Sequence, residues 1–100
     1  MIMKVPRFEL PMGKDQLEDF FISNKTVMHG LILTSITYAI SNNLNSISVA
    51  EFWWDSDGEF ELELEKANFT ESIYNCLLWF EEQELYEKCA QCKKLINKIK

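Results

Sequence analysis

The stretch EFWWDSDGEFELELEK, residues 51–66, has the pattern of two β-strands joined by a tight turn. From Glu59 to Glu65, charged and apolar residues alternate without a break, which predicts a strand with one acidic and one apolar face. The turn letters DSDG, residues 55–58, suit a four-residue hairpin loop with Gly58 in the positive-φ position. The stretch therefore predicts a β-hairpin whose apolar face supports the rest of the chain.

The strand before the turn begins near Ile47 and contains two adjacent tryptophans. Strand alternation divides its residues between two sides, with Val49, Glu51 and Trp53 on one and Ala50, Phe52 and Trp54 on the other. Because neighbouring side chains point to opposite faces, one of the two tryptophans is a candidate for the exposed aromatic anchor of an interface.

The chain before the hairpin predicts one extended segment and two helices. Residues 3–10, which include Pro6, favour an edge strand or an extended arm rather than a central strand. Asp15 is a suitable N-cap for a short helix over residues 16–22. Residues 24–41 are rich in β-branched side chains, but their apolar residues recur at helical spacings and the segment is long for a strand. We therefore predict a mostly buried helix there.

The chain after the hairpin predicts two helices joined by a tight connection, which must lie antiparallel. Asn68 and Glu71 have the spacing of a capping box. Two apolar stripes follow, at Ile73, Cys76, Leu77 and Phe80 and then at Leu85, Cys89, Cys92, Ile96 and Ile99. The whole pattern indicates one α+β domain over residues 1–100, with a small antiparallel β-hairpin or three-stranded sheet, two N-terminal helices and a C-terminal antiparallel helical hairpin.

The helical hairpin contains the run LWFEEQELYEKCAQCKKLI, residues 78–96. This run resembles the UVR motif of excision-repair nuclease subunits and of some protease adaptors, in which an acidic helix end precedes a Tyr-Glu-Lys-Ala-Ala-type segment. Tyr86, Glu87, Lys88 and Ala90 match that segment, Cys89 stands where a small residue is usual, and the Leu-Arg-Asp segment of the family is absent at residues 91–94. For this C-terminal quarter the resemblance implies a protein-binding helical hairpin and no catalytic role.

Charge is distributed unevenly along the chain, whose net charge is −6. Residues 1–50 hold four acids and four bases, residues 51–84 hold eleven acids and one base, and residues 85–100 hold one acid and five lysines. An anionic surface argues against binding of duplex DNA, which depends on neutralisation of phosphates by Lys and Arg. We expect a protein partner with a basic surface and no direct contact with nucleic acid.

The cysteines indicate both the compartment and a candidate metal site. Their odd number, three, and the lack of an evident signal peptide or membrane span favour the reducing cytoplasm, or the host cytoplasm if a phage encodes the chain. Cys76, Cys89 and Cys92 could form a Cys₃His zinc site with His29. However, they lie on apolar stripes, where thiols pack as small hydrophobes. We therefore expect a core role for them, no metal and no cofactor, and a surface or half-buried His29.

The acidic side of the hairpin is the sharpest feature of the sequence. Seven carboxylates occur within residues 51–65 with no basic residue between them, and like charges on one face repel one another. The solvated face of a one-sided sheet is normally polar, but a basic partner would also offset this repulsion. The residues predicted to bind that partner are Glu51, Trp54, Asp55, Asp57, Glu59, Glu61, Glu63 and Glu65.

Two non-enzymatic functions fit these features. One is a small acidic adaptor or inhibitor that binds a basic protein surface. The other is a phage-type inhibitor that imitates nucleic acid, because carboxylates two apart on the strand Glu59–Glu65 are separated by roughly 6.6 Å, close to the spacing of successive phosphates. A structural zinc protein is a third alternative. The sequence contains neither a nucleophile paired with a base nor a phosphate-binding glycine loop, so neither feature indicates an enzyme. Self-association through the hairpin edge or a helical stripe stays open.

Overall fold

The computed structural model describes residues 5–10, 13, 15–54 and 58–99, which form a three-stranded sheet and four α-helices. The elements in chain order are β1 (Arg7–Glu9), α1 (Gln16–Ser23), α2 (Lys25–Ser41), β2 (Ser46–Trp54), β3 (Gly58–Glu65), α3 (Phe69–Glu82) and α4 (Tyr86–Ile99). A 3₁₀ turn at Lys66–Asn68 precedes α3. The predicted α+β class, the helix over residues 24–41 and the C-terminal helical pair are confirmed.

The central strand of the sheet is β2, which is antiparallel to β3 and parallel to β1. The prediction of an edge strand near the N-terminus is confirmed, since β2 is the only described strand that pairs with β1. Its parallel direction differs from the expected antiparallel sheet. The physical reason is the connection: α1 and α2 lie between β1 and β2 in the chain, and a crossover containing helices brings the chain back in the same direction.

A β-bulge in β2 changes which residues face the helices. Ser48 pairs with Glu63 while Ala50 pairs with Leu62, so Val49 is the extra residue on β2. Val49 and Ala50 are both completely buried. The prediction that Val49 shares a side with Glu51 and Trp53 was therefore wrong, because one inserted residue reverses the alternation that follows it.

The core consists of two clusters of buried side chains. The first lies between the sheet and helices α1 and α2, and its centre is Phe52, whose ring is 5.3 Å from the rings of Phe8, Phe20 and Phe21. The second lies among α2, α3 and α4 and includes the fully buried Phe80. The predicted α3 stripe is buried throughout. In the second predicted stripe, Leu85 precedes α4 and is exposed, whereas Leu95 of α4, which the stripe did not include, is buried.

Neither predicted helix cap forms a side-chain hydrogen bond. Asp15 and Asn68 precede α1 and α3, but neither side chain bonds to the backbone there. Both residues already have φ and ψ angles in the right-handed helical region, whereas a capping side chain usually requires an extended backbone. The capping-box prediction for Asn68 and Glu71 was therefore wrong.

Gly58 is required for a different reason from the one predicted. Its φ angle lies outside the left-handed region, so the predicted positive φ was wrong. Instead, the indole of Trp54 lies so close to Gly58 that any Cβ at this position would overlap its ring. The two residues are partners in register at the end of the hairpin. The predicted loop residues Asp55, Ser56 and Asp57 lie outside the described residues.

Candidate functional site

The sheet has one covered face and one open face. Apolar side chains of α1 and α2 pack on the covered face against Phe8, Phe52, Trp54, Leu62 and Leu64. The side chains on the other face, here called the open face, are Arg7, Glu9, Ser46, Ser48, Glu51, Trp53, Glu59, Glu61, Glu63 and Glu65. Most of these are acidic, and all but Ser48 and Glu51 are exposed.

The predicted acidic row is present on β3 as a set of exposed side chains, Glu59, Glu61, Glu63 and Glu65. Glu51 of β2 lies directly opposite Glu61 in register and is half-buried. The structure thus brings five of the predicted site residues onto one face. Asp55 and Asp57, which were also predicted to bind the partner, lie outside the described residues.

Arg7 of β1 provides a positive charge next to this acidic surface. Its Nε atom is 3.1 Å from Glu51 Oε2, and its guanidinium lies over the Trp53 ring, 5.0 Å from the centroid. The pair is largely solvent-exposed, and exposed ion pairs contribute about 0.2–1 kcal/mol. Arg7 therefore offsets part of the repulsion between Glu51 and Glu61, but it neutralises only one carboxylate.

Ser48 holds a second carboxylate in place. Its hydroxyl donates to Glu61 Oε1 at 2.7 Å, between β2 and β3. Glu59, Glu63 and Glu65 make no ion pair or side-chain hydrogen bond with any other part of the chain that the structure describes. Three of the four carboxylates in the row are thus available to a partner.

The two tryptophans lie on opposite faces, as their adjacency predicts. Trp53 is on the open face, 37% exposed, and is the cross-strand partner of Glu59. Trp54 is half-buried on the covered face, where it packs in the core and against Gly58. Trp54 was among the predicted partner-binding residues, but it does not share a face with the glutamates. The exposed aromatic position belongs to Trp53.

No local pattern in the sequence predicts that Arg7 and Ser48 belong to this surface. Arg7 is 44 positions before Glu51 in the chain, and only the parallel pairing of β1 with β2 brings the two together. Ser48 faces the same way as Glu61 because of the bulge. A basic residue in an extended N-terminal segment was the only signal available for Arg7.

The open face has a small concavity. This concavity has a volume of about 80 Å³ and is lined by residues that include Arg7, Glu51, Trp53, Glu59 and Glu61. Pockets for small molecules usually measure about 300–1,000 Å³. A concavity of this size could receive one side-chain head group, and its carboxylates and indole favour a cationic one.

The three cysteines are buried in the helical cluster, as thiols. The Cys76 thiol donates to the His29 carbonyl oxygen at 3.5 Å. Burial, and then the neighbouring Cys92, raise the pKa of Cys76 to about 12. Burial and then Cys89 raise the pKa of Cys92 to about 11, with Lys88 acting in the opposite direction. Thiols with raised pKa values are poor nucleophiles, which is the behaviour of core residues.

His29 is half-buried near the start of α2, as expected. Its ring stacks on Trp79 of α3 with centroids 5.7 Å apart, and its Nδ1 lies 2.8 Å from the Lys25 carbonyl oxygen, which can accept a hydrogen bond from it. The indole N–H of Trp79 donates to Thr26 Oγ1 at 3.0 Å. This cluster joins α2 to α3 and includes no acidic partner for His29.

We predict that native Cys76 resists alkylation. At pH 8 its thiolate fraction should be about a thousandfold below that of an ordinary thiol, because its pKa is about 12 instead of 9.0. Mass spectrometry after iodoacetamide treatment, with the guanidinium-unfolded protein as control, measures this. Labelling of native Cys76 as fast as in the unfolded chain would contradict the buried position.

Neither metal binding nor a membrane span is indicated in the described part of the chain. Residues 5–10, 13, 15–54 and 58–99 bring together no group of three or more His, Cys, Asp or Glu side chains suited to hold a metal ion. The zinc alternative therefore receives no support from these residues. None of the helices in the same residues has the length and apolar character needed to cross a bilayer.

Comparison with known proteins gives no match: no family model fits the chain, and no curated protein or solved structure is detectably similar. The resemblance of residues 78–96 to a UVR motif stays an expectation from those residues alone. Any functional conclusion therefore depends on the surface geometry described above.

Proposed function

We propose that this protein is a non-enzymatic interaction module, a small acidic adaptor or inhibitor, whose open face binds a basic surface on another protein. The observation that supports this most strongly is the set of three exposed glutamates, Glu59, Glu63 and Glu65, which have no polar partner among the described residues. They lie in a row with Glu61 on a face that no described helix covers.

Trp53 gives this surface an apolar contact as well as charge. Tryptophan is enriched among the residues that dominate binding energy at interfaces. In this structure its ring already contacts the guanidinium of Arg7. A lysine or arginine of a partner that approached Trp53 and Glu59 would meet the same combination of an indole and carboxylates. Complementary charge would steer the encounter, and Trp53 would add contact energy.

A second candidate is an inhibitor that imitates nucleic acid. The supporting observation is the regular row on β3, in which successive carboxylates on one face are roughly 6.6 Å apart, similar to the spacing of phosphates. In this version the partner is the basic groove of a nucleic-acid enzyme or defence system of a phage host. For both versions we propose a cytoplasmic location, which agrees with three free cysteines.

Charge reversal on the open face tests the proposal. We expect Glu61→Lys with Glu63→Lys to weaken binding of a nona-arginine peptide by about 2 kcal/mol, roughly thirtyfold in Kd, because two attractions become two repulsions. Wild-type binding should also weaken steeply as salt rises from about 50 to 300 mM. Titration calorimetry measures both effects.

The matched control reverses two acids elsewhere. Glu81→Lys with Glu82→Lys changes the net charge by the same amount, and both positions are exposed on α3. We expect a change in Kd below about threefold for this variant. Equal losses in the two variants would show that total charge, rather than the open face, governs binding, and would refute the proposal.

Competition separates the two candidate functions. The test uses basic proteins that bind the wild type but not the Glu61→Lys, Glu63→Lys variant. Each complex of the wild type with such a protein is titrated with duplex DNA. If DNA displaces the protein from its partner, the nucleic-acid mimic is supported. If the partner binds no DNA, the adaptor is supported.

A further inference from the structure

The outer edge of β3 has no neighbour among the described residues. The sheet order is β1-β2-β3, so among the described strands β3 pairs only with β2, over eight residues. Within the described part of the chain, no backbone hydrogen bond outside the regular elements involves residues 58–65. An edge of this length offers a row of backbone donors and acceptors to another strand.

Backbone hydrogen bonds to β1 show which residues of β2 direct their N–H and C=O groups towards β1 and which direct them towards β3. The Glu51 amide donates to the Pro6 carbonyl oxygen at 2.9 Å, and the Leu10 amide donates to the Trp53 carbonyl oxygen at 2.8 Å. Glu51 and Trp53 therefore direct their backbone polar groups towards β1. This direction alternates along a strand. Phe52 lies between Glu51 and Trp53 and therefore directs its backbone N–H and C=O groups towards β3.

The same alternation shows which residues of β3 face outward. Phe60 is the partner of Phe52 in register, so its backbone N–H and C=O groups point towards β2. Its neighbours Glu59 and Glu61 must then direct their N–H and C=O groups to the free edge. The bulge lies in β2, so the alternation of β3 continues unbroken to Glu63 and Glu65. The four glutamates of β3, all on the open face, are thus also the residues whose backbone groups lie at the free edge.

The covered face is also incomplete at this edge. Phe60 is 40% exposed although it lies on the side of the sheet that packs against the helices. Leu62 and Leu64, further along β3, are half-buried. A strand added to β3 with apolar side chains on that side would cover Phe60, and each of its other side chains would lie opposite a glutamate.

A second copy of the chain is a poor occupant of this edge. If β3 paired antiparallel with the β3 of another copy, glutamates would lie opposite glutamates across the new pair, and like charges in that position are destabilising. A segment with Lys or Arg at alternate positions has the opposite property. The charge of the edge therefore disfavours such self-pairing and favours a basic strand.

We propose that the free edge of β3 accepts an extended segment of a partner protein, with Lys or Arg at alternate positions and apolar residues between them, as a fourth strand of the sheet. This inference rests on the proposed function and specifies the form of the partner. Backbone hydrogen bonds to the outward-facing residues would provide affinity, and pairing of basic side chains with the glutamates would provide specificity.

Two substitutions at one position test the role of the edge backbone. The probe is the peptide acetyl-Val-Lys-Val-Lys-Val-Lys-Val-amide. Glu61→Gln and Glu61→Pro both remove the charge, but only proline also removes the outward amide, and proline is tolerated at an edge strand when its missing donor faces solvent. We expect Glu61→Pro to bind the peptide at least about fivefold more weakly than Glu61→Gln. Equal affinities, with both variants folded by circular dichroism, would refute the inference.

Changes in the peptide provide a second measurement on the unaltered protein. N-methylation of the three lysine amides blocks one edge of the peptide, and N-methylation of three valine amides blocks the other. An antiparallel strand uses the amides of the lysines that lie opposite the glutamates, and a parallel strand uses those of the valines. We expect one series to lose at least about tenfold in affinity while the other binds normally. Equal affinity of both series would overturn the inference.

These outcomes remain distinct from those of the charge-reversal experiment. If nona-arginine binding does not depend on Glu61 and Glu63, the proposed function fails. If it does depend on them but the peptide acetyl-Lys-Lys-Lys-Val-Val-Val-Val-amide binds as well as the alternating one, the open face binds cations and the edge accepts no strand.

Discussion

Replacing Phe52 with alanine is expected to lower the free energy of unfolding by about 3–5 kcal/mol, the usual range for truncation of a buried Phe. Phe52 is completely buried on the central strand, and its ring contacts aromatic rings from β1 and α1. The vacated space is enclosed by the sheet and the helices, so little of it can close by local movement. Urea unfolding followed by circular dichroism measures the change.

The matched control is Phe60→Ala, which removes the same side chain from the directly opposite position in register. Phe60 is 40% exposed, so we expect a loss of about 1 kcal/mol. A similar loss in both variants would mean that Phe52 is not the centre of the sheet-side cluster. The control also shows whether the edge keeps its structure when Phe60 is removed, which matters for strand binding.

Replacing Phe80 with alanine is expected to cost a similar amount, about 3–5 kcal/mol, in the other cluster. Phe80 is completely buried in α3 and makes an edge contact with the His29 ring, 6.2 Å between centroids. Leu78→Ala is the control, because Leu78 lies on the same helix and is 63% exposed. A loss below about 1.5 kcal/mol for Phe80→Ala would contradict its central position.

The two variants together test the prediction of a single domain. Ile32 and Leu64 pack against both clusters, so we expect them to couple the clusters into one cooperative unit. In either variant, tryptophan fluorescence and far-ultraviolet circular dichroism should then give the same midpoint. Separate midpoints in Phe80→Ala would indicate that the helices unfold while the sheet persists.

The elements of this fold were predictable where one local signal was strong. The helix over residues 24–41 followed from its length and spacing despite its β-branched residues, and the acidic strand followed from strict alternation in residues 59–65. Those signals depend only on neighbouring residues. The direction of β1 and its pairing with Glu51 depend on how two helices return the chain to the sheet, which no local pattern contains.

The candidate site was predictable to the same extent. The glutamates of β3 were identified because alternation in one strand suffices to place them on one face. The choice between Trp53 and Trp54 depended on which face the helices cover. The contact of Arg7 with Trp53 joins distant segments, and the position of Ser48 depends on an extra residue in β2.

The bulge at Val49 marks the place where β2 can change length without exchanging the two faces of the sheet. Deletion of Val49 would leave Ser48 opposite Glu63 and Ala50 opposite Leu62 in plain alternation, so Glu51 would stay on the open face and Phe52 on the covered face. A residue deleted after the bulge, such as Phe52, would instead turn over the end of the strand, so that Trp53 faced the helices and Trp54 faced solvent. In evolutionary terms, β2 should tolerate a change of length at the bulge and reject it in the part of the strand that follows, where it would exchange the binding surface for the core.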